Sequence, residues 1–243
     1  TPVTSGPIGT GALQIEAGTT LLSDAGRTLG NAVTVTGNFT FGGVTATNNL
    51  TLAGAVDLGA AGRTITVSSP AVTATLTGVI SSTATGTALT KAGPGVLVLN
   101  AATGLGSGGV TVAAGILKLG ANDAIPNTSA ITVSAGAGLD LNGFNLISPQ
   151  LAVSGFVTNS SATASAILVG GTSATDVTTA TDVSMGQLLT DGFLVNGAKL
   201  GVTKAGVGTL TFTNTTSTNY GNILVVAGKV VGSTNHGATL KFA

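Results

Sequence analysis

The chain is expected to fold as an all-β, right-handed parallel β-solenoid with about 20 residues per coil. Three observations predict this. The composition is rich in β-branched and turn-forming residues and poor in helix formers: 42 Thr and 38 Gly in 243 residues, against one Glu and one Met. Apolar residues alternate with small polar ones in segments of only three or four residues. A stretch of the chain repeats itself without a gap 113 residues later.

The alternating segments run the length of the chain: Leu13-Gln14-Ile15, Val33-Thr34-Val35, Phe39-Thr40-Phe41, Leu50-Thr51-Leu52, Ile65-Thr66-Val67, Leu97-Val98-Leu99, Val110-Thr111-Val112, Leu117-Lys118-Leu119, Ile131-Thr132-Val133, Leu139-Asp140-Leu141 and Leu210-Thr211-Phe212. Period two places the outer pair on one face and the middle residue on the other. Gly, Asn, Ser or Ala bounds each segment, as suits a chain that turns a corner every few residues. Asn142-Gly143 and Asn196-Gly197 supply the positive φ that a sharp corner needs.

Residues 90–118 match residues 203–231 at 11 of 29 positions. Leu99 becomes Phe212 and Val110 becomes Ile223, so these positions should face inward. Val96 becomes Thr209 and Val98 becomes Thr211, so these should face outward. Two fainter echoes pair Gly138–Gly143 with Gly192–Gly197, and Ala25–Thr28 with Ala61–Thr64. Leu97, Leu117 and Leu139 stand about one coil apart. At ~4.8 Å per coil, 243 residues would make about 12 coils and a rod of roughly 55–60 Å. The chain reads as a single solenoid domain or a segment of a longer array. An antiparallel sandwich is the other all-β reading, but it needs a tight hairpin every few residues.

The bulk numbers exclude several classes. Net charge is zero and charged residues are 7%, with no basic stripe to track phosphates. Disorder is not expected at a mean hydropathy of +0.56. No apolar run is long enough for a transmembrane helix, and a chain with no Trp and one Tyr lacks the aromatic girdles of a membrane barrel. Cys is absent, so no disulfide enters. The start at Thr1 and the strand-like end at Leu240-Lys241-Phe242 read as a processed or excised segment.

The run Leu89-Thr90-Lys91-Ala92-Gly93-Pro94-Gly95-Val96-Leu97-Val98-Leu99, followed by Gly108-Gly109-Val110-Thr111-Val112-Ala113-Ala114-Gly115-Ile116-Leu117-Lys118-Leu119-Gly120, resembles the passenger-associated β-strand repeat of bacterial autotransporter-type surface proteins. Residues 203–232 form a weaker second copy, and residues 9–18 resemble the tail of another. The motif covers about a quarter of the chain. The resemblance implies a β-solenoid exported to the cell surface and says little about a ligand. No translocator barrel and no protease or lipase motif accompanies it.

Chemistry is sparse. His236, the sole histidine, sits in a turn-like stretch and is read as a surface loop residue rather than a metal ligand or base. Asp176, Asp182 and Asp191 are the closest carboxylate cluster, which solenoid stacking would have to bring within reach for acid/base work. Lys91 and Lys204 recur at equivalent repeat positions, which argues for a structural role. No nucleophile elbow, phosphate loop, zinc spacing or calcium-roll repeat occurs. Catalytic, cofactor and metal sites are therefore expected to be none. Thr-x-Thr recurs at Thr34/Thr36, Thr64/Thr66, Thr73/Thr75/Thr77, Thr83/Thr85/Thr87 and Thr209/Thr211/Thr213, but at uneven spacings and not at Leu117–Leu119 or Leu139–Leu141. Asn-x-Ser/Thr sequons start at Asn38, Asn49, Asn127, Asn159 and Asn214.

The expected function is a non-catalytic structural segment outside a bacterial cell: a stalk, adhesin-type passenger or filament subunit. Its partners would be its own terminal coils, head to tail, or neighbouring repeats, with a glycan as a further candidate. The alternatives are a module binding ice or carbohydrate through an outward Thr-rich face, and, less well supported, a polysaccharide-active β-helix enzyme.

Overall fold

The computed structural model describes residues 8–149, 151–163 and 165–169, with side chains through residue 165. Beyond these it describes the backbone of strands in 183–185, 200–204, 209–212, 220–225, 229–232 and 240–242. The described residues form short strands and turns with no helix. Every pairing between named strands is parallel. The chain is a β-solenoid.

Three faces wrap one core. Face 1 stacks Leu13–Ile15, Val33–Val35, Val56–Asp57 and Ile80–Ser81. Face 2 is the longest, a ten-stranded sheet running from Thr20–Leu21 through Phe39–Phe41, Arg63–Val67, Leu89–Ala92, Val110–Val112, Ile131–Val133 and Leu151–Val153 to Lys229–Gly232. Face 3 stacks seven strands, from Arg27–Leu29 to Phe156–Thr158. A fourth sheet begins at Leu146–Ser148 and takes the place of face 1 in chain order, ending at Leu240–Phe242.

The period-two reading holds strand by strand. In Val33–Val35 and Ile131–Val133 the outer residues are buried and the middle Thr is exposed. Register then turns the alternation into axial rows. On face 3, Leu29, Leu52, Leu76, Leu99 and Leu119 are successive partners and all are buried. Leu50, Ala74, Leu97, Leu117, Leu139 and Val157 form a second row beside them. On face 2, Phe39 and Phe41 meet edge to face at 5.2 Å between ring centroids. Leu76 sits inside the leucine row with no solvent exposure. Leu76→Ala is expected to cost about 2–5 kcal/mol, because stacked coils above and below limit collapse into the cavity. A denaturant titration checks this.

Leu99 and Val110 are buried, and Val96 and Val98 are half-buried on the outer side. Two expectations need correction. The spacing of about 20 residues per coil holds, at about 22, but the described residues make fewer coils than the roughly 12 expected, with ten strands in the longest sheet. Corner loops of uneven length lengthen the coil: Asp140 and Ser160 are 20 residues apart across one turn, whereas Asn38 and Thr64 are 26 apart. The echo of Ala25–Thr28 in Ala61–Thr64 does not mark equivalent positions, since Arg27 starts a strand of face 3 and Arg63 one of face 2.

The stronger repeat is real in register but moves sideways. Lys91 pairs with Val112 just as Lys204 pairs with Val225, and Leu97 pairs with Leu117 as Leu210 pairs with Val230. The first copy spans faces 2 and 3, whereas the second spans the fourth sheet and face 2. The repeat is therefore a two-strand corner module, displaced by one face between its copies.

Corners are close-packed through missing side chains. Gly54 and Gly78 occupy one corner in consecutive coils, above Asn31. A Cβ on Gly54 would lie 2.0 Å from the Asn31 carbonyl oxygen, and one on Gly78 would lie 2.0 Å from that of Gly54. At Asn142-Gly143 the expected positive φ is present in both residues, at 48° and 87°.

Candidate functional site

Three polar or concave features stand out among the described residues. The first is inside the core. Face 2 carries an inward row in which Phe39, Ile65, Lys91, Val112, Val133 and Val153 are successive partners. Lys91 is fully buried in that apolar row, at 0% exposure. Its Nζ donates to the carbonyl oxygens of Ala92 at 2.9 Å, Gly93 at 2.8 Å and Ala114 at 3.1 Å. These carbonyls belong to the corners of two successive coils. The corners close on the ammonium because a Cβ on Gly115 would lie 2.4 Å from the carbonyl oxygens of Gly93 and Gly95. Burial pushes the amine down to about 8 from its ordinary 10.5.

The second feature lies on the outer side of face 3. Asp140 is 5% exposed. Its carboxylate accepts from the backbone N–H of Asn142 at 3.0 Å and of Ser160 at 2.9 Å, and from Ser160 Oγ at 2.6 Å. Lys118 Nζ lies 3.3 Å from the carboxylate and donates to Ser160 Oγ at 2.8 Å. Every contact of the carboxylate ties one coil to the next or closes a turn, so the cluster acts as a clasp on the stack. The third feature is an open cavity of about 940 Å³ at the first coil, lined by Leu13, Leu21, Leu29 and Leu50 with Asp24 and Arg27 at its rim. The Arg27 guanidinium holds the Asp24 carboxyl below its ordinary range through a hydrogen bond and their charges.

His236, Asp176, Asp182 and Asp191 lie outside the described residues, as does the side chain of Lys204. Among the described residues no group of three or more His, Cys, Asp or Glu is placed to hold a metal, and no helix is long and apolar enough to cross a membrane. Sequon residues Asn38 and Asn49 are exposed but accept hydrogen bonds from Thr64 N and Thr73 N of the next coil. Asn127 is exposed. Asn159 is 1% exposed, with its amide committed to Gly143, Ser161 and Thr163, so its sequon is closed to glycosylation. Asn214 lies outside the described residues.

The threonines are more ordered than their spacing in sequence suggests. Thr64, Thr90, Thr111 and Thr132 are successive outward partners on face 2, followed by Ala152. Thr20, Thr40 and Thr66 make a second row beside them, followed by Ala92. Leu117–Leu119 and Leu139 belong to face 3, so the absence of Thr there does not interrupt these rows. Sequence reasoning read uneven spacing as loss of register, when the unevenness lies in the loops. It gave Lys91 a structural role but no inward position, although Leu89-Thr90-Lys91 puts Lys91 in phase with a buried leucine.

Comparison with known proteins returned no matching family model, no matching curated protein and no matching solved structure.

Proposed function

We propose that this chain is a non-catalytic structural segment of a bacterial cell-surface protein, a stalk, adhesin-type passenger or filament subunit that stacks end to end. The observation that carries the reading is the continuity of the axial ladders. Each coil's strands bond to the coil before and after, and leucine follows leucine along face 3 through five coils. Such a stack resists bending and extension along its length, which is what a spacer requires. The resemblance of residues 90–120 and 203–232 to autotransporter passenger repeats supports export to the surface. Among the described residues Leu13–Ile15, Thr20–Leu21 and Arg27–Leu29 are each the first strand of their sheet, and sheet edges take further strands readily. Sedimentation velocity with electron microscopy over a concentration series tests the stacking. Rods that lengthen in whole-molecule steps are expected; rods of one fixed length at every concentration would sink it.

The in-register threonines favour a second reading, a module that binds ice or a carbohydrate polymer through face 2. An uncharged, regular surface of hydroxyls and methyls suits a periodic ligand. Replacing Thr90 and Thr111 by Lys would abolish ice adsorption or glycan retention by the wild-type chain. A wild-type chain that does neither removes this reading.

A further inference from the structure

We infer that Lys91 is a register key: from inside the solenoid, its ammonium ties the corner carbonyls of two successive coils and so fixes how their strands align. The need for such a key follows from the monotony of the core. The inward row Phe39, Ile65, Val112, Val133 and Val153 lies beside another, Leu89, Val110, Ile131 and Leu151. A strand that slides by two residues, roughly 6.6 Å, keeps the same side chains inward and still sets apolar against apolar. Burial alone therefore discriminates weakly between the two alignments.

Lys91 breaks that degeneracy. Three carbonyls converge on its Nζ within 3.1 Å in the aligned stack. A two-residue slide keeps the Ala92 and Gly93 carbonyls, which travel with Lys91, but takes Ala114 away and leaves the buried ammonium one acceptor short. Among the described residues no opposite charge is at hand to rescue it. The register partners on either side are Ile65 and Val112. Arg63, on the same strand as Ile65, bonds the Val35 carbonyl. On face 3, Val96–Leu99 carries no charge, and Ile116–Leu119 carries only Lys118, which points outward to Asp140. The position recurs in the second module, where Lys204 stands opposite Val225.

The chain has no native Cys, so alignment can be trapped by disulfides. Thr90 is the partner of Thr111, and it would meet Ala113 only after a two-residue slide. Two double variants, Thr90→Cys with Thr111→Cys and Thr90→Cys with Ala113→Cys, are oxidised and the closed fraction of each is read by mass spectrometry. With Lys91 intact the aligned pair should close in strong preference to the slid pair. Adding Lys91→Met should lower that preference about tenfold or more, the scale of a hydrogen bond to a charged group, while Lys118→Met should leave it unchanged. The ratio of the two pairs is also measured at pH 7 and pH 10 with Lys91 in place, which serves if Lys91→Met does not fold. The preference should fall at pH 10, where the amine is neutral. A preference that survives the pH change, or survives Lys91→Met in a folded chain, overturns the inference.

Discussion

Gly78→Ala is expected to destroy the cooperative fold. The new Cβ would sit 2.0 Å from the Gly54 carbonyl oxygen, 2.3 Å from its carbon and 2.8 Å from Ala55 N. These are backbone atoms of the coil below and cannot swing aside. Relief requires the two coils to part, which strains the bonds on either side of the corner, Thr77 N to Leu52 O at 2.8 Å and Val56 N to Val79 O at 2.9 Å. Overpacking alone costs about 1–3 kcal/mol, and the loss of buried ladder bonds takes the total above about 4 kcal/mol. Gly26 is the control, because a Cβ there meets nothing within 4 Å and its φ is ordinary. Thermal melts of the two variants decide the matter. A Gly78→Ala chain that melts with the wild type would show that the corners are looser than their geometry implies.

Lys91→Ala is expected to follow closely in effect. It opens a cavity the length of a lysine stem and leaves the carbonyls of Ala92, Gly93 and Ala114 without their shared donor. At about 1–3 kcal/mol for each buried group left unpaired, the loss is about 4 kcal/mol or more. Lys91 also predicts an unusual pH profile. Its amine titrates near 8 in the fold and near 10.5 when unfolded. Between these values the unfolded chain holds the proton and the folded chain does not, so unfolding stability rises with pH. The cost of burying the charge is fully present below about 8 and is relieved as pH approaches 10.5. The gain is about 3 kcal/mol at most. The wild-type chain should therefore gain stability between pH 8 and pH 10 relative to Lys91→Met. Parallel denaturation curves for both proteins would reject the assignment of that proton to Lys91.

The fold was largely legible because a strand with one buried face writes its own pattern. Val33-Thr34-Val35 alternates since its valines face the core and its threonine faces water. Leu97, Leu117 and Leu139 recur because each must fill the same slot one coil later. What the pattern hides is loop length. A corner that grows by six residues changes no register, yet it scrambles the spacing by which equivalent threonines would be recognised. Lys91 was hidden for a different reason. Lysine is taken as an outward residue by default, and only the alternation with Leu89 contradicts that. Asp140 keeps its outward phase in Leu139-Asp140-Leu141 but is buried by Ser160 and Lys118, which come from neighbouring coils and leave no local mark.

The sideways displacement of the corner module bears on valency. The two copies share strand register and 11 of 29 residues, yet their equivalent strands lie on different faces and only non-equivalent ones share face 2. A flat partner able to recognise one copy cannot reach both at once, so duplication brings it no avidity. Two separate partners, by contrast, can be held at different azimuths and different heights by one chain. Duplication here multiplies directions of contact, and any recognition built on the module would serve crosslinking before it served tight binding.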